Sequence, residues 1–188
     1  YISNYYLKKL NPTAKILNLD ALMTVKNIKS LDDLRLKKVD LLDYDYIILP
    51  GYLIKQLPNN SIDVFINTRS FMEMNTETVK FYFSQIHRTI NKAGIFICVN
   101  RYEKKTSGDT IKIKNFPFDE KWSFEISRKS FSQPLIHEAL LSRTRLKNYK
   151  LRKELMRLKP YDVKFFKSLV YVQDDKPNLI RVYETFPI

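Results

Sequence analysis

Glycine is scarce in this sequence, whose 188 residues include only Gly51, Gly94 and Gly108. No two of the three are close enough to form a glycine-rich turn of the kind that cradles phosphates or nucleotides. If the fold is one that binds nucleotides, we expect its first strand and that turn to lie upstream of Tyr1. The first residue is tyrosine and not methionine, which agrees with a fragment or a processed product.

Cysteine and long apolar runs are also nearly absent. The single Cys98 excludes an internal disulfide and a cysteine-rich zinc site, so we expect a reducing compartment, the cytoplasm. No apolar run reaches the roughly 18 residues of a membrane-spanning helix, and the first residues lack the apolar core of a signal peptide. No group of carboxylates and histidines has the spacing of metal ligands, so the sequence predicts no metal site.

The remaining composition is that of a globular protein with a basic surface. Hydrophobic residues make up 44% of the chain and charged residues 28%, without a Pro/Ser linker, which predicts one domain over residues 1–188. The net charge is +13, which suits either an anionic partner or a lysine-rich surface that keeps the protein soluble. We favour the second interpretation, because the basic residues are dispersed except at residues 143–159.

Residues 62–100 predict a strand, a helix and a second strand in close succession. The apolar runs at 62–66 and 95–99 are typical of strands covered on both faces. Between them an apolar stripe recurs at helical spacing, formed by Val79, Phe83, Ile86 and Ile90. Gly94 suits the left-handed position that ends a helix. This order indicates a right-handed βαβ crossover.

Shorter patterns predict the elements on either side of this unit. They are strands at 14–19 and 46–49, possible strands at 110–114 and 122–126, a loop and short helix at 132–141, a basic helix at 143–159, and a hairpin of strands at 163–172 and 179–186. The fold class that follows is α/β, with a mostly parallel sheet and a C-terminal antiparallel hairpin.

Four segments carry a family resemblance: YYLKKLNPTAKIL, YIILPGYLIKQLP, IDVFINTRSFMEMNTETVKFYF and IFICVNRYEKK. Together they resemble the bacterial proteins assigned as sugar O-methyltransferases, which are class I, S-adenosylmethionine-dependent methyltransferases. An N-T-x-S-F-x-E-M run followed by a tyrosine-rich helix is a signature of those proteins. The resemblance is good over residues 5–105, thinner over 122–141 and negligible beyond.

The resemblance implies a Rossmann-like sheet, S-adenosylmethionine as cofactor, and methyl transfer to a sugar hydroxyl in surface-polysaccharide or lipopolysaccharide synthesis. The acceptor would be a sugar or a nucleotide- or lipid-linked sugar. The family's glycine turn and the acid that holds the cofactor ribose would precede Tyr1, so the chain would be N-terminally truncated and lack half of the cofactor site. An alternative alignment makes residues 14–19 the second strand and Asp20 the ribose carboxylate.

Polar residues beyond the strand ends are the candidate site residues. The resemblance and the strand ends together suggest cofactor contacts by Asn67 and Thr68, substrate contacts by Ser70, Asn100 and Arg101, and proton removal by Glu73 or His137. Each also has a plainer interpretation as a turn, cap or strand-end residue.

Two further groups of residues have two interpretations each. Pro50 and Gly51 would leave room for the adenine and Tyr52 would stack on it, unless the three form an ordinary turn. His87 is expected at the helix surface, away from the sheet edge.

The alternative function is a basic, non-enzymatic module that binds nucleic acid or an anionic surface. It rests on the charge of +13 and on the basic helix at 143–159, which could make a peripheral membrane contact. Nucleic acid is the less favoured partner, because the sequence has no RNP, KH or zinc-finger signature.

Overall fold

The computed structural model describes residues 2–27, 30, 34, 36–37, 41–105, 110–131, 133, 135–148, 150–158, 170–173 and 180–183. The helices within these ranges are α1 (Ile2–Leu10), α2 (Leu19–Lys26), α3 (Thr76–Thr89) and α4 (Leu151–Arg157). The strands are β1 (Ile16–Asn18), β2 (Tyr46–Ile48), β3 (Ile62–Thr68), β4 (Ile90–Arg101), β5 (Glu103–Lys105), β6 (Thr110–Lys112), β7 (Trp122–Lys129), β8 (Ile136–Arg143), β9 (Val170–Gln173) and β10 (Ile180–Tyr183). Short 3₁₀ helices cover Gly51–Gln56, Ser70–Glu73 and Ile113–Asn115.

A four-stranded sheet in the order β3-β4-β8-β7 forms the centre of the described fold. Strands β3 and β4 pair in parallel, with α3 between them in the chain, so the predicted βαβ unit is confirmed. Strand β8 runs antiparallel to both of its neighbours, β4 and β7. Strands β3, β4 and β7 therefore share one direction, and the sheet is mixed with most of its strands parallel.

The antiparallel strand of this sheet lies where the sequence predicted a loop and a short helix. Residues 136–143 read IHEALLSR, and their Glu, Ala and Leu residues favour a helix on propensity alone. In the structure Ala139 and Leu141 face the core while Leu140 is half-buried, an alternation that only a strand allows. The packing between β4 and β7 therefore overrides local preference.

The predicted C-terminal hairpin is described only in part. Strands β9 and β10 pair antiparallel, but they form a sheet of their own and do not join the four-stranded one. The rest of the predicted hairpin lies outside the described residues.

The predicted basic helix at 143–159 is shorter than expected. Arg143 ends β8, and the helix begins only at Leu151. Between them the chain is held along β7, because the Thr144 amide donates to the Lys121 carbonyl at 2.8 Å and the Asn148 side chain donates to the Trp122 carbonyl at 2.8 Å. Among the leucines of this segment, Leu151 and Leu158 are buried and Leu155 packs beside them, whereas Leu146 is 78% exposed.

An aromatic cluster fills the space between α3 and the sheet. Phe83 on α3 is 1% exposed, and Trp122 and Phe96 are fully buried. The Phe83 ring lies 4.9–5.9 Å, centroid to centroid, from the rings of Phe71, Phe96, Phe116 and Phe118. Such edge-on and tilted pairs add stability beyond the area they bury. The predicted stripe is confirmed on α3 for Val79, Phe83 and Ile86, which are all buried. The buried Ile90 instead begins β4, and the helix ends at Thr89. The prediction that Gly94 ends the helix in a left-handed conformation was wrong, because Gly94 lies within β4 and its φ is outside the left-handed region.

A second, smaller core lies beneath the parallel pair β1–β2, where Leu17, Leu22, Leu34, Leu36 and Leu53 are buried. Arg88 of α3 joins this region to the main sheet. Its guanidinium donates to the carbonyls of Leu57 at 2.6 Å and Ile54 at 3.1 Å and to the Asn59 side chain at 2.8 Å. These bonds hold the Gly51–Gln56 helix and the turn after it against the end of α3.

Strand β3 is more exposed than predicted. Val64 is 49% exposed and Ile66 is 65% exposed, so the run at 62–66 is not covered on both faces. In the described part of the sheet β3 is also an edge strand.

None of the helices in the described part of the chain has the length and hydropathy of a membrane span.

Replacement of Phe83 by alanine tests the aromatic core. We expect the free energy of unfolding in urea to fall by about 3–5 kcal/mol, because the side chain leaves a cavity among four rings. Phe131, which is 90% exposed, provides the matched control, and Phe131→Ala should change stability by less than about 0.5 kcal/mol. Equal losses in the two variants would contradict this description of the core.

Candidate functional site

The carboxyl ends of β3 and β4 lie at the same edge of the sheet. Asn67 pairs with Cys98 and Thr68 with Val99 in the parallel register. Just beyond β3, Arg69 adopts a left-handed conformation with φ 63°, and its amide donates to the Val99 carbonyl at 2.7 Å. Residues other than glycine rarely adopt this left-handed conformation. The turn at Arg69 starts the Ser70–Glu73 helix directly after β3.

Three of the candidate residues form one hydrogen-bonded cluster at this edge. The Asn100 side-chain amide donates to Asn67 Oδ1 at 3.0 Å, and the Asn67 amide donates to Ser70 Oγ at 2.5 Å. Asn67 Oδ1 also accepts from the Phe71 amide at 3.4 Å. The structure therefore brings Asn67, Ser70 and Asn100 together.

The cluster holds one unused hydrogen-bond acceptor. Asn100 is fully buried, and no donor among the described residues reaches its Oδ1 atom. A buried carbonyl oxygen without a donor costs about 1–3 kcal/mol. The oxygen is itself buried, so a ligand hydroxyl would reach it only after a neighbouring side chain moves aside.

Cys98 lies below this cluster and is not a reactive residue. Its sulfur accepts from the Asn100 amide at 3.3 Å. Burial disfavours the thiolate and raises the pKa of the thiol to about 12, despite the hydrogen bond from Asn100. A nucleophilic role is therefore excluded at neutral pH.

His137 lies on β8, directly across from Asn100 on β4, and not in the loop or helix that the sequence predicted. It is 3% exposed, with Nδ1 2.9 Å from the Tyr102 hydroxyl and Nε2 3.2 Å from Ser127 Oγ. Burial lowers the pKa of the ring to about 4, against the smaller opposing effect of the Glu138 charge. His137 is thus neutral at pH 7, with both ring nitrogens engaged.

The other candidates lie at the rim of this edge. The Glu73 carboxylate is 62% exposed and forms an ion pair with Lys104 of β5. Thr68 and Arg101, the last residues of β3 and β4, are both exposed. The arrangement can therefore offer a carboxylate, a hydroxyl and a guanidinium beside the buried amide cluster.

Pro50, Gly51 and Tyr52 follow β2 and begin a 3₁₀ helix. The space that a side chain at Gly51 would need is filled by the hydroxyl group of Tyr82 on α3. The expected room for an adenine at Gly51 is therefore taken by the protein itself. Tyr52 is 50% exposed and remains open to a ligand.

Asp20, the alternative ribose carboxylate, lies in the first turn of α2, two residues after β1 ends, and is exposed. Strands β1 and β2 are parallel neighbours, so Asp20 and Pro50 follow the carboxyl ends of adjacent strands. This placement suits the alignment that makes β1 the second strand of the family fold.

His87 is half-buried, with 21% of its side chain exposed, and is therefore less exposed than the sequence predicted. Trp122 Nε1 donates to His87 Nε2 at 2.9 Å, and because an indole nitrogen only donates, the imidazole is neutral with its proton on Nδ1. Burial is the largest cause of the lowered pKa of His87. No local pattern could have shown this contact, since its two residues are 35 positions apart.

The described residues hold no group of three or more His, Cys, Asp or Glu side chains arranged around a metal ion.

Comparison with known proteins places few constraints on the chain. No protein-family model and no curated protein matches it. Among solved structures, a protein of Sulfolobus solfataricus described as a type 11 methyltransferase is similar, with a TM-score of 0.38 and 18% sequence identity. The match covers 78% of this chain and 82% of that one. A likeness this distant does not assign the chain to a family.

The pH dependence of stability tests the state of His137. The unfolded imidazole binds a proton near pH 6.5 and the folded one only near pH 4. The unfolded state therefore binds more protons between these values, and the free energy of unfolding should fall as the pH falls from 6.5 to 4, by up to about 3 kcal/mol. Urea titrations of the protein and of His137→Gln should show a flatter curve for the variant. Parallel curves would contradict a neutral, buried His137.

A second test concerns Gly51. We expect Gly51→Ala to lower the free energy of unfolding by about 1–3 kcal/mol, because the new methyl group meets the Tyr82 hydroxyl. Tyr82→Phe removes that hydroxyl, so the double variant Gly51→Ala/Tyr82→Phe should lose much less stability than the sum of the single variants. Simple additivity in this double-mutant cycle would show that the two residues do not meet.

Proposed function

We propose that this chain forms the acceptor side of an S-adenosylmethionine-dependent methyltransferase that methylates a sugar hydroxyl. The observation that supports the proposal is the cluster of Asn67, Ser70 and Asn100 with its unused buried oxygen. The cluster lies at the carboxyl edge of parallel strands, where α/β sheets bind ligands. Asn67 and Ser70 also belong to the run NTRSFMEM, which carries the sequence resemblance.

The polar groups of the cluster suit a ligand rich in hydroxyl groups. Asn100 Oδ1 accepts a hydrogen bond from a sugar hydroxyl, and Ser70 Oγ, which already accepts from Asn67, retains its own proton to donate. Because the amides of Asn67 and Asn100 fix one another, they are held in place before a ligand binds, which lowers the entropy cost of binding. A site that hydrogen-bonds a hydroxyl in this way also rejects analogues that lack it.

Glu73 is the proposed proton acceptor. S-adenosylmethionine, when bound, supplies an electrophilic methyl group, and the acceptor oxygen must be held about 3 Å from it. The Glu73 carboxylate lies at the rim beside this edge and is exposed enough to meet a substrate hydroxyl. His137 would need Tyr102 or Ser127 to release a ring nitrogen before it could accept a proton, so we propose that it positions Tyr102 and Asn100 instead.

The cofactor side is proposed to include Thr68, Asn67 and Tyr52, with Asp20 holding ribose hydroxyls. The orphaned Asn100 oxygen and the exposed Asp20 carboxylate both suit a hydroxyl-bearing ligand. The open edge of β3 and the exposed Val64 and Ile66 support a further strand and helix beside β3, where a glycine turn would complete the cofactor site. We propose that these elements belong to sequence beyond this chain.

The alternative of a basic binding module has lost one of the two features that favoured it, while the charge of +13 stands. The described residues contain no continuous basic helix over 143–159, because Arg143 ends a strand and the helix that follows covers only the seven residues Leu151–Arg157. A helix of two turns presents too small an apolar face to hold a protein at a membrane.

Measurements on the protein at its natural length test the proposal. We expect calorimetry to detect S-adenosylmethionine binding, and Asn67→Ala to weaken it. Transfer of a labelled methyl group to a panel of nucleotide-activated sugars should fall about 10–100-fold in kcat/KM for Asn100→Ala, which removes the buried acceptor.

The exposed Asn115 provides the matched control, and Asn115→Ala should leave cofactor binding and transfer unchanged. Absence of any S-adenosylmethionine binding by the natural-length protein would reject the function. If the Asn100→Ala variant binds S-adenosylmethionine and transfers methyl groups as well as the unaltered protein, the proposed site is wrong, but the proposed function is not.

A further inference from the structure

A second concave site lies at the opposite edge of the sheet. It is lined by Lys92 near the start of β4, Lys121 just before β7, Arg143 at the end of β8, and by Thr144, Arg145 and His87, and its cavity volume is about 380 Å³. We call it the amino-edge pocket. Eight residues of β4 separate Lys92 from Asn100, which amounts to about 25 Å along an extended strand. The pocket is therefore separate from the carboxyl-edge cluster.

The wall of the amino-edge pocket is rigid. Arg143 Nη2 donates to Asp119 Oδ2 at 2.6 Å, and its other terminal nitrogen donates to Oδ1. The guanidinium carbon also lies 4.9 Å from the centre of the Trp122 ring. Partial burial alone would raise the pKa of the Asp119 carboxyl, but the hydrogen bonds from Arg143 and the nearby charges outweigh it and lower the pKa. Arg143 is thus both neutralised and fixed.

Three further cations of the pocket have no such partner. Within the described part of the chain, no acceptor binds the side chains of Lys92, Lys121 or Arg145, and all three residues are exposed. Burial is the largest cause of the lowered pKa of His87 and the Asp119 charge opposes it, while the charges of Arg143 and Lys121 add to the lowering, in agreement with cations gathered around this pocket. Like charges held around one concavity repel one another, and a bound anion relieves that repulsion.

We propose that the amino-edge pocket binds a small ligand that carries two or more phosphate groups. Lys92, Lys121 and Arg145 supply the positive charge, and the Thr144 hydroxyl at the pocket wall supplies a neutral donor. Phosphate oxygens are strong acceptors that take several charge-assisted hydrogen bonds at once. A half-open cavity of about 380 Å³ is in the range of small-molecule sites, whereas a nucleic-acid backbone needs an extended basic track.

Inorganic pyrophosphate is the probe for this proposal. Its affinity is measured by calorimetry at constant ionic strength, for the protein and for the triple variant Lys92→Gln/Lys121→Gln/Arg145→Gln. We expect the pocket variant to bind pyrophosphate about tenfold or more weakly, because it loses three charge-assisted contacts. Urea unfolding of the variant should match that of the protein, since the three replaced side chains are exposed.

A control variant with the same change in charge separates the pocket from the general basic surface. Lys9, Lys114 and Lys153 are exposed and lie outside the pocket, and Lys9→Gln/Lys114→Gln/Lys153→Gln should alter pyrophosphate affinity by less than about twofold. Equal losses in both triple variants, or no binding of pyrophosphate by the unaltered protein, would overturn the proposal.

A single-stranded oligonucleotide of 20 nucleotides distinguishes a polymer from a small ligand. We expect it to bind more weakly than pyrophosphate at the same phosphate concentration and to be displaced by pyrophosphate. If the oligonucleotide binds more tightly than pyrophosphate and loses affinity equally in both triple variants, the basic surface as a whole binds nucleic acid, and the proposal for the amino-edge pocket is wrong. These measurements involve no methyl transfer, so their outcome is independent of the proposed function.

Discussion

The parallel register between β3 and β4 is the constraint on which the candidate site depends. Because Asn67 is paired with Cys98, the next inward-facing residue of β4, Asn100, lies within hydrogen-bond distance of Asn67. A shift of one strand by one residue would turn its asparagine to the other face of the sheet and separate it from the asparagine of the neighbouring strand. Helix α3 sets this register, since it connects the two strands and packs its apolar stripe on them. The aromatic core and the polar cluster are therefore consequences of one crossover connection.

The two edges of the sheet differ in chemistry because they end in different residues. At the carboxyl edge the strands end in amides and hydroxyl groups that hydrogen-bond one another. At the amino edge they are flanked by the lysine and arginine residues of the pocket, of which, among the described residues, only Arg143 has a carboxylate partner. Neutral donors and acceptors select ligands by geometry, whereas converging cations attract any anion and gain selectivity from the shape of the pocket. One cluster of cations thus lies at the amino end of the sheet.

The sequence predicted those parts of the structure that local periodicity determines. The stripe on α3 and the strands on either side of it follow from residues within one 40-residue window, and the structure confirms them. Strand β8 was missed, because IHEALLSR has helical propensity and becomes a strand only between β4 and β7. The contact between His87 and Trp122 and the filling of the space at Gly51 by Tyr82 join distant parts of the chain, and no pattern in the sequence records them. For the site, the strand ends placed Asn67, Ser70 and Asn100 among the candidates, but their mutual hydrogen bonds were not predicted. The surroundings of His137 depended on the unrecognised strand.

The burial of Cys98 has a practical consequence for spectroscopy. With a pKa of about 12, its thiol is almost entirely protonated at neutral pH, and thiol-directed reagents act on the thiolate. The natural sequence therefore behaves as a cysteine-free background in labelling experiments. A single cysteine introduced at an exposed position would carry a fluorophore or spin label selectively, without replacement of a residue that packs beneath the asparagine cluster.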